Sequence, residues 1–271
     1  MASETLLGAE RLEGAWVEPR NRWQAGANSI HNDAVAKKIG MRGGTIPGTV
    51  HLSHFAPLMT DLFGERWLSE GQVSMFYTFA TLDGEPVRAV VERPAEGALE
   101  GVQLAAFVET PEGKVVAKGT VACGRPQAPG YVRGLPLSEA PREQIRILEA
   151  MVPGLVTVER DGYVIKEGGD ADGVLRDPQE VYRALQPYSP GVTVTDAVGF
   201  FGATEIDLRA GPVRAGVPYR KNAWVVSVGA SPKTEFAWFD SELRDADGRL
   251  VAQMRHMTRW MKASSPRWAE T

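Results

Sequence analysis

Gly84-Glu85-Pro86-Val87-Arg88 recurs about half a chain later as Gly216-Val217-Pro218-Tyr219-Arg220. Further on, Gly113-Lys114-Val115-Val116-Ala117-Lys118 recurs as Gly248-Arg249-Leu250-Val251-Ala252-Gln253. Two matches in the same order and at nearly the same offset mean that one structural unit is used twice. The surroundings of each match say what the unit is. Val102 to Val108 and Thr234 to Leu243 are rich in β-branched and aromatic residues. Each is followed by a turn signal, Thr110-Pro111-Glu112-Gly113 or Asp245-Ala246-Asp247-Gly248, and then by an alternating run, Lys114 to Cys123 or Arg249 to Met261. These patterns predict antiparallel hairpins.

Thr49 to Phe63 has a different period. Leu52, Phe55, Ala56, Met59 and Phe63 follow helical spacing, and Val50, His54, Leu58 and Leu62 occupy much of the remaining circumference. A helix apolar nearly all round is a buried one. Pro57 should kink it or divide it into two pieces. A buried helix followed by antiparallel strands points to an α+β layer in which the sheet wraps the helix. In the second half, Pro178 to Leu185 is expected to be a short helix and Val192 to Phe201 a further segment. Arg125-Pro126-Gln127-Ala128-Pro129-Gly130 reads as the opening of a linker, with an amphipathic helix expected over Pro141 to Met151. The organisation expected is therefore 1–125, a connecting stretch 126–177, and 178–271.

Composition narrows the function classes. A hydrophobic share of 43%, a charged share of 24%, 29 Gly and 18 Pro describe a turn-rich globular chain. With a net charge of −4 and no basic stripe, nucleic acid is not an expected partner. No apolar run approaches the roughly 20 residues that span a bilayer, and the acidic N-terminus is unlike a signal peptide, so a cytoplasmic protein is expected. Cys123 is the only cysteine. It closes an alternating strand and is expected to be a small buried residue, not a nucleophile.

The densest chemistry lies in Gly26-Ala27-Asn28-Ser29-Ile30-His31-Asn32-Asp33, followed by Gly43-Gly44-Thr45-Ile46-Pro47-Gly48 and the buried helix. This arrangement resembles the MaoC-like, or hydratase-2, branch of the hotdog superfamily. The signature of that family runs Gly-Asp-x-Asn-Pro-Leu/Ile-His, then x-Asp-x-x-x-Ala, then a Gly opening the central helix. Asn28, Ile30, His31, Asp33 and Gly48 stand at matching positions, and the similarity covers most of the chain outside Gly124 to Pro178. The resemblance implies a double hotdog: two helices, each wrapped by a curved antiparallel sheet, with the sheets continuous across a pseudo-dimer.

The resemblance also implies a hydratase or dehydratase acting on an enoyl or 3-hydroxyacyl thioester such as an acyl-CoA, with no cofactor. It makes His31 the base, Asn28 a positioning residue and the Gly48 N–H the oxyanion donor. The chain departs from the pattern at the catalytic Asp, which is Gly26, and at Ser29, Pro47 and Ala56. His51 and His54, one turn apart near the helix start, are either core or interface histidines satisfied by backbone carbonyls or candidates for the missing proton carrier. Without a carboxylate at matching spacing, His31, His51 and His54 are not expected to hold a metal.

Tyr77, Phe76 and Arg88 are the expected substrate-binding residues, Asp33 is expected to start or cap the helical stretch Ala34 to Ile39, and His256 reads as structural. Tyr163 stands where the repeat offset would place a second His31. The alternatives are a hotdog thioesterase, dehydration or cyclisation of a small molecule without CoA, and a non-catalytic ligand-binding or partner subunit. A homo-oligomer, a dimer of double hotdogs, or pairing with another hotdog subunit is expected.

Overall fold

The computed structural model describes residues 9–23, 28–94, 97, 99–189 and 193–269. Among these, ten strands form one antiparallel sheet: β1 (Ala9–Glu13), β2 (Gly71–Tyr77), β3 (Arg88–Pro94), β4 (Leu104–Glu109), β5 (Val115–Cys123), β6 (Val156–Val164), β7 (Gly199–Leu208), β8 (Pro218–Ala230), β9 (Thr234–Arg244) and β10 (Leu250–Met261). Their order is β1-β3-β4-β5-β2-β7-β10-β9-β8-β6. Each strand of one half has a counterpart at the mirrored place in the other, so the repeat is an approximate two-fold whose axis runs between β2 and β7. That central pair is in register from Gln72 opposite Asp207 to Phe76 opposite Ala203.

The expected hairpins are present, and their turns explain the repeated glycines. In the β4–β5 turn, Gly113 N–H donates to the Thr110 carbonyl at 2.9 Å; in the β9–β10 turn, Gly248 N–H donates to the Asp245 carbonyl at 3.0 Å. The two glycines have φ of 77° and 78°, a region that costs a residue with a Cβ.

The helices are α1 (Asp33–Lys38), α2 (Phe55–Phe63), α3 (Trp67–Glu70) and α4 (Pro178–Leu185). The apolar stretch expected as one helix with a break at Pro57 is indeed in two pieces, a 3-10 segment Gly48–His54 leading into α2. Pro57 falls in the first turn of α2, where a backbone N–H has no partner within the helix. Leu52, Phe55 and Met59 from this rod and Val181, Tyr182 and Leu185 from α4 pack in one core with Val73, Met75, Ala89, Val91, Ile206 and Met254 of the sheet. This is the double-hotdog arrangement. No helix among the described residues is long and apolar enough to cross a membrane. Cys123 is buried.

Three expectations are corrected. Pro141 to Met151 is not an amphipathic helix: only Arg142–Gln144 winds, as a 3-10 turn. The buried Glu235 carboxylate takes the N–H groups of Arg146, Ile147 and Leu148 at 2.9–3.1 Å, and Ile145, Leu148 and Met151 pack on Val225, Phe239 and Trp260. The apolar spacing was real, but a carboxylate from β9 replaces helical carbonyls as the acceptor. Second, the stretch 126–177 contains β6, which pairs with β8 along the outer edge. Third, Tyr163 lies in β6. The motif occupies a long connection, residues 14–47, between β1 and the central helix, and the second half has only residues 165–177 there. His31 thus has no positional counterpart.

Candidate active site

His31 sits in a tight turn between the Ser29 bridge to Gly199 of the second half and the start of α1. Asn32 N–H donates to the Ser29 carbonyl at 3.0 Å. The Asn21 amide donates to the His31 carbonyl at 2.8 Å, which holds the turn from outside. Thr45 fixes the ring: its N–H donates to the Ile30 carbonyl at 2.9 Å, and its carbonyl oxygen lies 2.7 Å from His31 Nδ1. A carbonyl accepts only, so Nδ1 carries the proton and Nε2 keeps its lone pair in the neutral ring. Burial lowers the pKa of the ring, and the Thr45 carbonyl opposes this in part. The His31 ring is therefore neutral near pH 7.

His31 lines a cavity of about 250 Å³ together with Gly48, His51 and Tyr77 from the first half and Gly199 and Phe201 from the second. Gly48 opens the rod that continues into α2. A Cβ at this position would lie 2.8 Å from the Tyr77 ring, so only glycine lets the ring cover the helix start. Thr45 also lines the cavity, and its buried hydroxyl lacks a hydrogen-bond partner. The Tyr77 hydroxyl is buried with Thr204 as its neighbour, and burial raises its pKa. No Asp or Glu is among the described residues that line this space.

His51 is fully enclosed, with Nε2 3.0 Å from the Thr81 hydroxyl and Nδ1 3.4 Å from His54 Nε2. Burial, then the neighbouring His54, lowers its pKa to about 3. Burial lowers His54 to about 4 against the attraction of Asp177. Both rings are neutral at pH 7. His51 faces the cavity; His54 stands behind it, linking it toward Asp177 at the start of α4.

Of the sequence-predicted residues, His31, Gly48, His51 and Tyr77 converge on one cavity. Asn28 does not: it is exposed, and its amide donates to the Thr195 carbonyl at 2.9 Å, tying the motif to the second half. Phe76 does not either. Neighbours on a strand point to opposite faces, so with Tyr77 toward the helix layer Phe76 packs with Val132, Ala203 and Trp238 on the other face. Arg88 likewise lies away from the core face of β3, held by Glu13 and, at 2.8 Å, by Glu109, with its guanidinium 4.6 Å from the Trp16 ring centroid.

Asp33 starts α1, as expected, and Asn32 caps it. The Asp33 carboxylate accepts from Lys37 at 2.6 Å and from the Gly44 N–H at 3.2 Å. His256 is fully buried, its Nδ1 2.9 Å from the Thr204 hydroxyl, and does not line the cavity. Gly26, the position of the missing acid, lies outside the described residues. Sequence reasoning missed Thr45, Thr81 and the Gly199–Phe201 wall. The repeat offered a signal for the last, since it implies that β2 and β7 meet.

The fold defines the class: this is a double-hotdog protein with a histidine-bearing cavity at the junction of its halves. No protein-family model matches the sequence, and no curated protein is similar to it at a significant level. Several solved structures share the fold. A protein provisionally assigned as an oleoyl thioesterase from Lactobacillus plantarum has 10% identity and a TM-score of 0.53, over 94% of this chain and 98% of the other. A MaoC domain protein from Chloroflexus aurantiacus, provisionally assigned as a dehydratase, has 12% identity and a TM-score of 0.51, over 93% and 95%. The dehydratase domain of PpsC from Mycobacterium tuberculosis, solved with C12:1-CoA, has 13% identity and a TM-score of 0.50, over 96% and 97%. Identities this low establish the architecture and leave the reaction to be argued from the site.

Proposed function

We propose that the chain is a hydro-lyase of the MaoC-like type, adding water to an enoyl thioester or removing it from a 3-hydroxyacyl thioester. The observation that carries this reading is the His31–Thr45 hydrogen bond, which leaves a neutral, lone-pair-bearing Nε2 on a histidine in the wall of the cavity that Gly48 also lines. In hydration, Nε2 takes a proton from water as the oxygen bonds to the β-carbon. The double-bond electrons move toward the thioester carbonyl, whose developing charge is met by the Gly48 N–H and the positive end of the rod. Return of that proton from the His31 imidazolium to the α-carbon completes the addition, and neutral His51, on the same wall, is the candidate to relay it, accepting at one ring nitrogen while donating from the other. The thioester form of the substrate is supported by the CoA ligand in the PpsC dehydratase structure.

The test is an enoyl-CoA panel in which loss of enoyl absorbance is read beside release of free thiol. His31→Ala should reduce hydration by roughly 10²–10⁴-fold; unchanged hydration in that variant would remove His31 from the mechanism. Thiol release without loss of the enoyl group would indicate a thioesterase. Glycine at position 26 favours one further reading, a site that binds without turnover. For this reading, Gly26→Asp is informative: a large gain in hydration would show that the rest of the pocket is competent.

A further inference from the structure

β6 and β8 form one outer edge of the sheet, and on it Arg160 stands directly opposite Lys221. Like charges at a cross-strand position repel. The matching edge of the first half shows how this chain otherwise treats its arginines: Arg88 pairs with Glu13 and Glu109, Arg11 with Glu109, and Arg93 with Glu10. On the second edge Arg220 has Asp161. Arg160 and Lys221 have no carboxylate within ion-pair distance among the described residues. Lys221 is also buried, at 6% exposure, with its ammonium 4.8 Å from the Tyr163 ring centroid. Burial first, and then the charge of Arg160, pulls its amine down to about 8.

These two cations border a cavity of about 340 Å³. Arg183, in the last turn of α4, adds a third, and its guanidinium reaches only the Gln179 side chain, at 3.3 Å. The ladder shifts register between Val156 and Val158, and Thr157 at this bulge lines the same cavity. Thr157 is 4% exposed, and its hydroxyl has no hydrogen-bond partner. Glu159 is the one carboxylate in the described wall; it is exposed and pairs with none of the three cations. Burying an unpaired ammonium beside another cation is costly, and an anion placed between them reverses that cost. Three cations and a neutral hydroxyl donor match a doubly charged, multi-oxygen anion better than a carboxylate.

We infer that this cavity binds a phosphate group, as inorganic phosphate or as the terminal group of an ester, through Lys221, Arg160 and Arg183 with the Thr157 hydroxyl as a further donor. The site shares no lining residue with the His31 cavity, so it stands whether or not the hydro-lyase reading does.

The test is calorimetric titration of the full chain with inorganic phosphate and with glycerol 3-phosphate, at constant ionic strength set by chloride. Saturable binding is expected, with affinity reduced about tenfold or more in Lys221→Met and reduced again in Arg160→Gln. Arg160 is exposed, so its variant tests the site even if Lys221→Met does not fold. Tighter binding of the ester, with the same dependence on both residues, would identify the group as part of a larger ligand. Equal or tighter binding of inorganic phosphate would identify the free ion. Absence of saturation with either probe, or affinity unchanged in both variants, overturns the inference.

Discussion

The Thr45 carbonyl oxygen lies 2.7 Å from Nδ1 of His31, and the same residue is anchored by its N–H on the Ile30 carbonyl. One backbone unit thus sets both the turn that presents the histidine and the tautomer it adopts. The proton on Nδ1 is fixed by geometry, and basicity is left to Nε2.

A pH profile follows from this pair. Burial lowers the His31 pKa from its ordinary 6.5, so the ring stays neutral to lower pH than an exposed histidine. If His31 is the base, the acid limb of kcat/KM should fall below pH 6.5, with activity lost as pH drops through it. An acid limb at or above 6.5 would contradict the assignment. The measurement requires a substrate found by the enoyl-CoA panel.

Stability should be acid-sensitive well before the carboxylates titrate. Burial lowers the pKa values of His51, His54 and His256 to about 3, 4 and 3. Below pH 6.5 the unfolded chain takes up protons that the folded chain refuses, so this stability is complete above 6.5 and is lost as pH falls toward the folded values. Between pH 5.5 and 4.5 each buried histidine removes on the order of 1 kcal/mol of stability per pH unit, a few kcal/mol for the three together. Urea midpoints at pH 7.5, 6.0 and 5.0 give the check, and a flat response would mean that these rings are more solvated than the structure shows.

Gly48→Ala tests how closely the helix start is covered. The added methyl would meet the Tyr77 ring at 2.8 Å, and overpacking of this kind typically costs about 1–3 kcal/mol. In a Tyr77→Ala background the clash has no partner, so the cost should shrink by about 1 kcal/mol or more. Additive losses in the double-mutant cycle would show that the ring moves aside.

Much of this fold was legible because it is carried by residue type. The Gly113 and Gly248 turns and the alternation of β4, β5, β9 and β10 are local properties, and the His31 motif was legible through its resemblance to the MaoC-like signature. What stayed hidden depends on partners that residue identity does not encode. The acceptor for His31 is a backbone carbonyl, which any residue at position 45 would possess. β6 is an exposed edge strand with little apolar alternation, so it reads as a loop. Phe76 and Tyr77 look interchangeable in sequence, and only the register of β2 decides which faces the cavity. Lys221 resembles a surface lysine until β6 covers it.

The last prediction concerns what joins the halves. Glu205 of β7 is fully buried opposite Ser74 of β2 in the central pairing. Its carboxylate accepts from the Ser74 hydroxyl at 2.8 Å and from the Arg133 N–H at 3.0 Å, while the Arg133 guanidinium lies 3.1 Å from its other oxygen. The Val132 N–H donates in turn to Ser74 Oγ at 2.8 Å. One carboxylate therefore joins the second half to a strand of the first and to the segment connecting them. Burial raises its pKa, and the Ser74 hydroxyl, the Arg133 N–H and the Arg133 guanidinium oppose the rise. Glu205→Leu leaves the donors unmatched and should cost roughly 3–5 kcal/mol; Glu205→Gln keeps an acceptor oxygen and should cost less. Urea unfolding followed by tryptophan fluorescence and circular dichroism should move as one transition in both variants, because the sheet is continuous through β2 and β7. A Glu205→Leu loss under about 1 kcal/mol would mean that apolar packing along this pair, not the carboxylate network, holds the halves together.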